Sequence, residues 1–326
     1  MTPPRVRAVV VTWNGAHLVG PCLDSLLAQD LPDGEVEVVV VDNGSTDGTV
    51  ALLERDYPGV RVLATGRNLG FAGGVEVGLA GLDSPYAVLL NNDATFEPDA
   101  VRLLVEHLDR PENAAVGAAT ARILLTDQDA QGRVLVNSTG NVLTASGAAT
   151  DRDWLVPADV EHSPVDVFGF CGGAAALRAA ALEEVGTFDP DLFLYYEDTD
   201  LSWRMRAAGW SVHYVRGAVA HHQHAASSDA TSPLFRFYNT RNSLLVVARH
   251  APWPVVVRSS ARQVAGLARH TLARSEDRRL LAARARALIA FVRLLPRTLQ
   301  RRRAVWSGER RAGRRPVYDV GVGRAD

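Results

Sequence analysis

The chain contains 326 residues, of which 47% are hydrophobic and 22% are charged, as is ordinary for a globular protein with a full buried core. It has no run of 18 or more apolar residues, and its first residues lack the apolar stretch and cleavage site of a signal peptide, so neither a membrane span nor secretion is expected. Cys22 and Cys171 are the only cysteines and fit a reducing compartment, which predicts a cytoplasmic location.

The net charge of -2 conceals a strong segregation of charge along the chain. Residues 1–240 contain 15 arginines and 32 acidic residues, whereas residues 241–315 contain 19 arginines and only 3 acidic residues. Every basic residue is arginine, for which biased codon usage is a sufficient explanation. The segregation itself indicates that the two parts of the chain have different surroundings.

The first 110 residues alternate short β-branched runs with amphipathic stretches. The predicted strands cover residues 6–12, 36–41, 60–63 and 86–90. The predicted helices between them cover residues 16–29, 47–56 and 71–81. Because the strands are nearly continuous apolar runs and alternate with helices, the pattern predicts an α/β fold with a parallel sheet covered on both faces.

Polar or glycine-rich residues follow each of these strands, and ligands of parallel α/β sheets bind at that edge. The four segments are Thr12-Trp13-Asn14-Gly15, Asp42-Asn43-Gly44-Ser45, Arg67-Asn68-Leu69-Gly70 and Asn91-Asn92-Asp93. One such segment would be an ordinary turn, whereas four on one edge predict a nucleotide pocket. Asp42 taken alone is explained equally well as a nucleotide contact or as a cap of the following helix.

Asp93 follows a buried strand and is placed to hold a divalent cation that bridges two phosphates. Mg²⁺ is commonly bound by one or two carboxylates together with substrate phosphates, so one protein carboxylate can suffice. The alternative is a capped turn before a helix predicted at residues 98–108. The position favours a functional role, since Asp93 shares its sheet edge with Asp42 and Asn68.

A second acidic cluster, Glu197, Asp198 and Asp200, begins a helix predicted at residues 198–208 and follows an aromatic run. The helix dipole accounts for some of these acids. Nearby like charges and an apolar wall both raise the pKa of a carboxylate, which suits a general base. The preceding residues 127–165 are predicted to be strands and loops on the acceptor side, followed by a helix at 178–186.

Two short strands, at residues 211–215 and 217–220, lead into three closely spaced histidines. A histidine emerging from a strand is a good metal ligand, although a solvated run is the plainer interpretation. We expect one of His221, His222 and His224 to bind a metal, with His221 favoured.

From about residue 232 onward the pattern is helical and rich in arginine, with interruptions at Pro252 and Pro254 and a mobile tail expected after Pro296. The predicted domains are a catalytic domain at 1–230, an arginine-rich helical extension at 231–300 and a flexible basic tail at 301–326. Residues 241–315 are expected to hold the protein against an anionic membrane, since segments such as residues 278–303 alternate arginine with apolar residues as an interfacial helix does. Packing on the acidic catalytic domain is the alternative, and nucleic-acid binding is a weaker one.

The ordered set of motifs resembles the inverting glycosyltransferases of family 2, which have the GT-A fold. The resemblance covers about 240 residues and includes the four strand-end segments, residues 186–204, Gly209, the histidine-rich strand end and Arg241-Asn242. Within the family, the chain is most similar to the rhamnosyltransferases and related enzymes of bacterial cell-wall polysaccharide synthesis. The implied fold is a GT-A catalytic domain, Rossmann-like with a mainly parallel sheet, followed by a C-terminal helical extension.

The resemblance also implies a role for each site residue. The donor pocket would consist of Thr12, Asn14, Asp42, Asn68, Asn92 and Asp93, with Asp42 on the nucleobase or ribose. Asp93 takes the place of the last acid of the D-x-D motif, on Mg²⁺ or Mn²⁺ and the diphosphate, and His221 would complete the metal site. Asp198 matches the catalytic base, supported by Glu197 and Asp200. Asn91 stands where the motif has its first acid, so only one carboxylate remains there.

The resulting hypothesis is an inverting, metal-dependent transfer of a sugar, for example rhamnose, from a dTDP- or UDP-linked donor. The acceptor would be a glycan or a polyprenyl-diphosphate-linked sugar at the inner face of the membrane. A phosphohydrolase is one alternative, because Asp42 ends a strand as an aspartyl nucleophile does, but such enzymes need a second acid where this chain has Gly44. A nucleotide-sugar-binding protein without transfer activity is the other.

Overall fold

A nine-stranded sheet forms the centre of the molecule in the computed structural model, which describes residues 4–32, 35–223, 232–307 and 312–322. Strands are numbered β1 to β11 and helices α1 to α10 in chain order. Along the sheet the strand order is β3-β2-β1-β4-β10-β6-β11-β5, and β7 pairs with β6. The strand bounds are β1 Val6–Thr12, β2 Val36–Asp42, β3 Arg61–Ala64, β4 Tyr86–Leu90, β5 Ala94–Phe96, β6 Val116–Gln128, β7 Val134–Ser138, β10 Ala174–Arg178 and β11 Ser211–His222.

Strands β1 to β4 form the parallel half of the sheet, as the sequence predicts. The helices in and after this half are α1 Val19–Leu27, α2 Thr49–Asp56, α3 Gly70–Leu79 and α4 Ala100–Asp109. Alternate residues of β1 contribute to two different cores: Val6, Ala8 and Val10 pack on one side of the sheet, and Val9 packs on the other. Such two-sided burial explains why the strand is apolar throughout.

The other half of the sheet is mixed. Strand β10 is antiparallel to both β4 and β6, while β11 runs parallel to β6 and antiparallel to β5. The two strands predicted at 211–215 and 217–220 are one continuous strand, β11, whose pairing with β6 is irregular between Val215 and Val219. Two short strands form a separate ribbon, β8 Asn141–Leu143 and β9 Ala149–Asp151.

The remaining helices are α5 Ala179–Val185, α6 Glu197–Ala208, α7 Pro233–His250, α8 Trp253–Ala273, α9 Arg278–Trp306 and α10 Arg314–Val322. Helices α7 to α10 share a third apolar core with α6 and the ribbon. Helix α9 continues through Pro296 to Trp306, and α10 buries Val317 and Tyr318, whose hydroxyl donates to the Ala145 carbonyl at 2.8 Å. These parts of residues 301–326 therefore differ from the flexible tail expected from the sequence, because α10 has an apolar face that packs.

Among the described residues, every helix is either too short or too polar to cross a lipid bilayer.

Candidate active site

Asp42 lies almost fully buried at the end of β2. Its Oδ2 atom accepts hydrogen bonds from the backbone nitrogens of Gly44, at 3.1 Å, and Ser45, at 3.0 Å. Gly44 has φ +76°, a conformation that glycine adopts readily and that lets the chain wrap around the carboxylate. The Oδ1 atom is buried and has no hydrogen-bond partner among the described residues. A buried unpaired acceptor at a strand end is a ready partner for a hydroxyl or an N–H of a ligand.

The other predicted donor residues of the first half hold the strand-end loops together. Asn14 accepts a hydrogen bond from the backbone nitrogen of Thr46 at 2.8 Å, and thereby joins the loops after β1 and β2. Asn92 donates to the Thr12 hydroxyl at 3.0 Å, which joins the ends of β4 and β1. Asn68 is exposed and accepts from the nitrogen of Gly70 at 2.8 Å at the start of α3.

Asp93 is paired with His222. The distance between Asp93 Oδ1 and His222 Nε2 is 3.1 Å, and both side chains are largely buried. His221 Nε2 instead lies 2.7 Å from Glu97 Oε1 in a more exposed pair. Adjacent residues of a strand point to opposite faces, so only one of the two histidines can face Asp93. The sequence favours His221 as the metal ligand, whereas in the structure the neighbouring His222 lies beside Asp93, and His224 lies outside the described residues.

The Asp93–His222 pair has the chemistry of a partial metal site. His222 Nδ1 lies 2.5 Å from Asn137 Oδ1, so an N–H at Nδ1 would donate to the amide and leave Nε2 with its lone pair toward Asp93. No group of three or more histidine, cysteine or acidic side chains in the described ranges could hold a metal ion by itself. A carboxylate and an imidazole do fit Mg²⁺ or Mn²⁺ whose other ligands are phosphate oxygens and water.

Asp198 occupies the first turn of α6, where three residues donate hydrogen bonds to its carboxylate. Its Oδ2 atom accepts from Asn141 Nδ2 at 3.0 Å and from the nitrogen of Gly172 at 3.1 Å, and Oδ1 accepts from the nitrogen of Thr199 at 2.6 Å. Burial raises the pKa of Asp198 above its ordinary value, and the three donors oppose this rise. A partly buried, firmly oriented carboxylate with a raised pKa is well suited to accept a proton.

Two adjacent glycines, Gly172 and Gly173, connect Asp198 with the Asn91-Asn92-Asp93 turn. The nitrogen of Gly172 donates to Asp198, and the carbonyl oxygen of Gly173 accepts from the nitrogen of Asn91 at 2.9 Å. A Cβ atom at Gly172 would come within 3.7 Å of Asp198 Oδ2, and one at Gly173 within 3.4 Å of Asn91 Nδ2. The Asn91-Asn92-Asp93 turn and the Asp198 carboxylate therefore belong to one site.

Glu197 and Asp200 have opposite environments although both flank the predicted base. Burial, and then the charge of Asp198, raises the pKa of Glu197 to about 8, and its Oε2 atom has no hydrogen-bond partner in the described part of the chain. Asp200 is fully buried and accepts from Arg249 at 2.6 Å and from Arg204 at 3.0 Å. Burial opposes its ionisation, but the two guanidinium groups lower the pKa of Asp200 well below the usual range.

The predicted support of Asp198 by Asp200 is thus indirect in this structure. Both oxygens of Asp200 are occupied, since His250 Nε2 also lies 2.8 Å from Oδ1. The Asp200 side chain therefore joins α6 to α7, and because it is fully buried it does not face a substrate.

The loop that precedes α6 has a strained backbone. Phe193, Tyr195 and Tyr196 all have positive φ angles, of 64°, 69° and 72°, which large side chains seldom adopt. Asn242 of α7 stabilises this shape, because its Nδ2 atom lies 2.8 Å from the carbonyl oxygens of three loop residues, Leu192, Leu194 and Tyr195. Helix α7 is therefore part of the site, and Asn242 of the Arg241-Asn242 motif holds the loop before α6 in place.

Sequence reasoning missed two residues of the site. Asn141, in β8, binds Asp198 and also donates to the Phe170 carbonyl at 2.9 Å. Asp151, which pairs with it in β9, has a pKa raised to about 6, chiefly by burial and in part by the charge of Asp198, while His222 opposes the rise. Asp151 thus lies within electrostatic reach of both the base and the metal-site histidine. Neither residue belongs to a motif, and Asn141 follows β7, a strand whose bounds the sequence does not predict, so no local signal pointed to them.

The sheet, the strand-end pocket and the joined acidic clusters define the class of protein, and comparison with known sequences agrees. A model of the family described as Glycosyl transferase family 2 matches residues 8–186. The chain belongs to this family, and it is a glycosyltransferase with a GT-A fold.

Among curated relatives, the N-acetylglucosaminyl-diphospho-decaprenol L-rhamnosyltransferase of Mycobacterium tuberculosis is 30% identical over 297 residues, which cover 83% of this chain and 94% of the relative. The O-antigen chain rhamnosyltransferase RfbN of Salmonella typhimurium is 26% identical over 224 residues, covering 68% of this chain and 67% of the relative.

Among solved structures, the mannosyltransferase PcManGT of Pyrobaculum calidifontis, in complex with GDP-Man and Mn²⁺, has a TM-score of 0.53 and 20% identity, and the match covers 98% of this chain and 84% of that one. S. aureus TarS 1-349 in complex with UDP also has a TM-score of 0.53, with 16% identity and coverage of 97% and 90%. These likenesses establish the fold.

Proposed function

We propose that this glycosyltransferase inverts the anomeric centre of a nucleotide-diphosphate sugar, and that Asp198 is its general base. The observation that carries the proposal is the bridge of Gly172 and Gly173, which joins the Asp198 carboxylate to the turn that contains Asp93. A single site then contains a proton acceptor and a candidate diphosphate-binding group. One displacement needs both at once, one on each side of the reacting carbon.

In the proposed reaction, Asp198 accepts the proton of an acceptor hydroxyl as the hydroxyl oxygen attacks the anomeric carbon. The bond between that carbon and the diphosphate oxygen breaks on the opposite face. The three donors to Asp198 fix the direction of its lone pairs, and the raised pKa makes it a stronger base than an exposed aspartate. Glu197 lies beside it and, with a pKa of about 8, is neutral at pH 7.

The donor nucleotide would lie along the strand ends. The free Oδ1 of Asp42 would accept from the base or ribose, and the loops held by Asn14, Asn68 and the Thr12–Asn92 pair would line the pocket. Asp93 and His222 would hold Mg²⁺ or Mn²⁺ at the diphosphate. A bound cation there offsets the negative charge that develops on the leaving group.

We further propose rhamnose as the transferred sugar, from a dTDP- or UDP-linked donor, and a polyprenyl-diphosphate-linked glycan as the acceptor. The support is the 30% identity, over almost the whole length of the relative, to an enzyme named as a rhamnosyltransferase of a decaprenol-diphosphate acceptor. Such an acceptor places the enzyme at the cytoplasmic face of the membrane. The catalytic domain would span residues 1–230, with the following helices as its extension.

Thermal unfolding in the presence of a panel of nucleotide sugars, with and without Mn²⁺, tests the donor assignment. A donor at a hundred times its Kd should add about 2.7 kcal/mol of stability. The stabilising donor is then incubated with a polyprenyl-diphosphate-linked N-acetylglucosamine, and the anomeric configuration of the product is read by NMR. Retention of configuration, or transfer that survives exhaustive chelation, would contradict the inverting and the metal-dependent parts respectively.

The two alternatives make different predictions in the same assays. A phosphohydrolase would release phosphate from a generic aryl phosphate, and a binding protein would be stabilised by a donor without turning it over. Both are the weaker proposals, because Asp42 has one oxygen bound by its own loop and Gly44 stands where a phosphohydrolase needs its second acid, while hydrogen bonds hold Asp198 in a fixed orientation that suits a base.

A further inference from the structure

Helix α8 has all of its buried residues near its N-terminal end. Its buried residues are Val255, Val256 and Ser259, all within the first two turns. Beyond Ser259 no residue of the helix is buried, although the helix continues for a further fourteen residues to Ala273. Beyond Ser259, one face of α8, which includes Gln263, Leu267 and His270, is half-buried, and the rest of its circumference is exposed.

The exposed part of α8 has an apolar stripe. Trp253, Val257, Val264 and Leu272 are 53%, 66%, 57% and 85% exposed. The small residues Ala261 and Ala268 are exposed between them, and at 100° per residue all six positions fall within an arc of about 100°. An apolar stripe of this width normally faces a core, whereas here the stripe is largely exposed, although the guanidinium group of Arg302 lies 4.4 Å from the centroid of the Trp253 ring. Exposed contiguous apolar surface of this kind marks an interaction site.

Arginines line one side of the stripe. Arg258, Arg262 and Arg269 are exposed, and none of them forms an ion pair with an acidic side chain in the described part of the chain. The helix contains no aspartate or glutamate. In α9, which the sequence singled out as the interfacial helix, Arg284 instead pairs with Glu276, and Arg297 with Asp191.

Helix α9 is also the more buried of the two. Its residues Ala283, Ala287 and Phe291 pack in the interior, and its arginines are partly neutralised. Within the arginine-rich residues 241–315, α8 is therefore a better candidate for the membrane surface than residues 278–303. The sequence offered a second interpretation, in which the arginine-rich helices pack on the acidic catalytic domain. Helix α9 fits this interpretation, because its Arg297 pairs with Asp191.

We propose that the exposed face of α8 lies on an anionic lipid bilayer, with Trp253, Val257, Val264 and Leu272 in the interfacial region and the arginines at the phosphate level. This proposal rests on the proposed function only in assigning a purpose to the contact, namely access to a lipid-linked acceptor. The combination of an apolar stripe with cations and no anions is the pattern of helices that bind in the membrane plane.

Charge complementarity selects the bilayer over a second copy of the chain. A symmetric contact between two α8 helices would bring two sets of arginines together without any acid on the helix to neutralise them. Anionic headgroups supply that neutralisation. A nucleic acid would match the arginines but would leave the apolar stripe in water.

The test is co-sedimentation of the full-length protein with vesicles of phosphatidylglycerol and phosphatidylcholine, and with vesicles of phosphatidylcholine alone, without nucleotide or acceptor. Three variants are compared with the wild type. The first replaces the apolar stripe (Val257→Ser, Val264→Ser, Leu272→Ser), and the second replaces the arginines (Arg258→Gln, Arg262→Gln, Arg269→Gln). The control changes the same residue types at exposed positions elsewhere (Leu27→Ser, Val160→Ser, Val165→Ser), which are 56%, 60% and 51% exposed.

The wild type and the control should bind the anionic vesicles and not the neutral ones. Each arginine near an anionic surface contributes about fivefold to partitioning, so the arginine variant should bind on the order of a hundredfold more weakly. The stripe variant should lose at least tenfold. The proposal would be overturned if either variant bound anionic vesicles as tightly as the wild type does. It would also be overturned if the wild type bound neutral and anionic vesicles equally.

Sedimentation velocity without lipid tests whether a second copy of the chain, and not a bilayer, covers the apolar stripe. A wild-type dimer that becomes monomeric in the stripe variant would show that a second copy covers this face, and would also overturn the proposal. Transfer to a soluble acceptor analogue should be unchanged in all three variants. Lost vesicle binding with intact soluble transfer supports the docking role, whereas a wild type that binds vesicles but transfers no sugar contradicts the proposed function and leaves the docking surface standing.

Discussion

The donor side and the acceptor side of the site are held in place in different ways. On the donor side, Asp42 is fixed by the nitrogens of Gly44 and Ser45, two and three residues further along the chain. On the acceptor side, the loop before α6 depends on Asn242, and Asp198 depends on Asn141, 57 residues away. The Asp42 carboxylate is thus held by its own loop, whereas the Asp198 carboxylate and the loop before α6 also depend on side chains from distant elements. A substitution remote from the donor pocket can therefore disturb proton transfer without affecting nucleotide binding.

The largest expected effect separates the two sides directly. Asp198→Asn should lower the rate of transfer by about 10² to 10⁴, because it removes the proton acceptor, while donor affinity stays unchanged. Single-turnover kinetics and donor titration measure the two quantities. Asp159→Asn, at an exposed loop position, is the matched control and should behave as the wild type. Transfer by Asp198→Asn within threefold of the wild-type rate would remove this residue from the mechanism.

The next effect concerns the donor side alone. His222→Ala and Asp93→Ala should weaken Mn²⁺-dependent binding of a nucleoside diphosphate by about tenfold to a hundredfold, as losses from a metal site commonly do. His221→Ala should change it by less than about threefold, since this side chain pairs with Glu97. Calorimetric titration with and without chelator provides the comparison. A larger loss in His221→Ala than in His222→Ala would restore the assignment made from sequence.

A smaller effect tests whether the ribbon positions the base. Asn141→Ala removes a hydrogen bond that favours the ionised form of Asp198, so its pKa should rise further. Because the base must be deprotonated, the acid limb of the kcat profile should move to higher pH by on the order of one unit. Asn137→Ala, which contacts His222 instead, should leave this limb in place. An equal loss of kcat at every pH would indicate that Asn141 is merely structural.

The remaining effect is on stability, not on activity, and involves Glu197. Its pKa is about 8 in the folded protein against 4.5 ordinarily, so the folded state binds a proton more tightly than the unfolded state does. The stabilising contribution is complete below pH 4.5 and is lost as the pH rises through 8. Glu197→Gln should remove this dependence, so its melting temperature relative to the wild type should be higher at pH 9 than at pH 5. If the difference in melting temperature between the two proteins stayed the same from pH 5 to pH 9, Glu197 would not be the group with the shifted pKa.

The same contrast explains how much of the molecule the sequence could predict. The boundaries of β1 and β4 were predicted to the residue, because strands buried on both faces have uninterrupted apolar runs that end where the polar edge begins. The sequence predicts two strands with a gap at Arg216, beside Gly217, since a glycine within a strand pattern resembles a break when the neighbouring strands are unknown. The continuity of β11 is visible only from its pairing with β6.

The residues that orient the site were less predictable from the sequence for a related reason. The choice between His221 and His222 depends on which face of β11 meets Asp93, and the bulge in this strand removes any register that could be counted from its start. Asn141 has a functional contact only because the ribbon folds back on α6. Asp93 and Asp198 were recognisable as members of motifs, whereas the groups that orient them were not.

The bonds from Asn242 have a consequence for the order in which the protein is made. Leu192, Leu194 and Tyr195 precede their amide partner by 50, 48 and 47 residues. A growing chain leaves the ribosome N-terminus first, so the strand ends of the donor side are complete long before this asparagine emerges. The nascent enzyme can therefore shape its nucleotide pocket early, but it has no anchored acceptor loop until helix α7 has been translated.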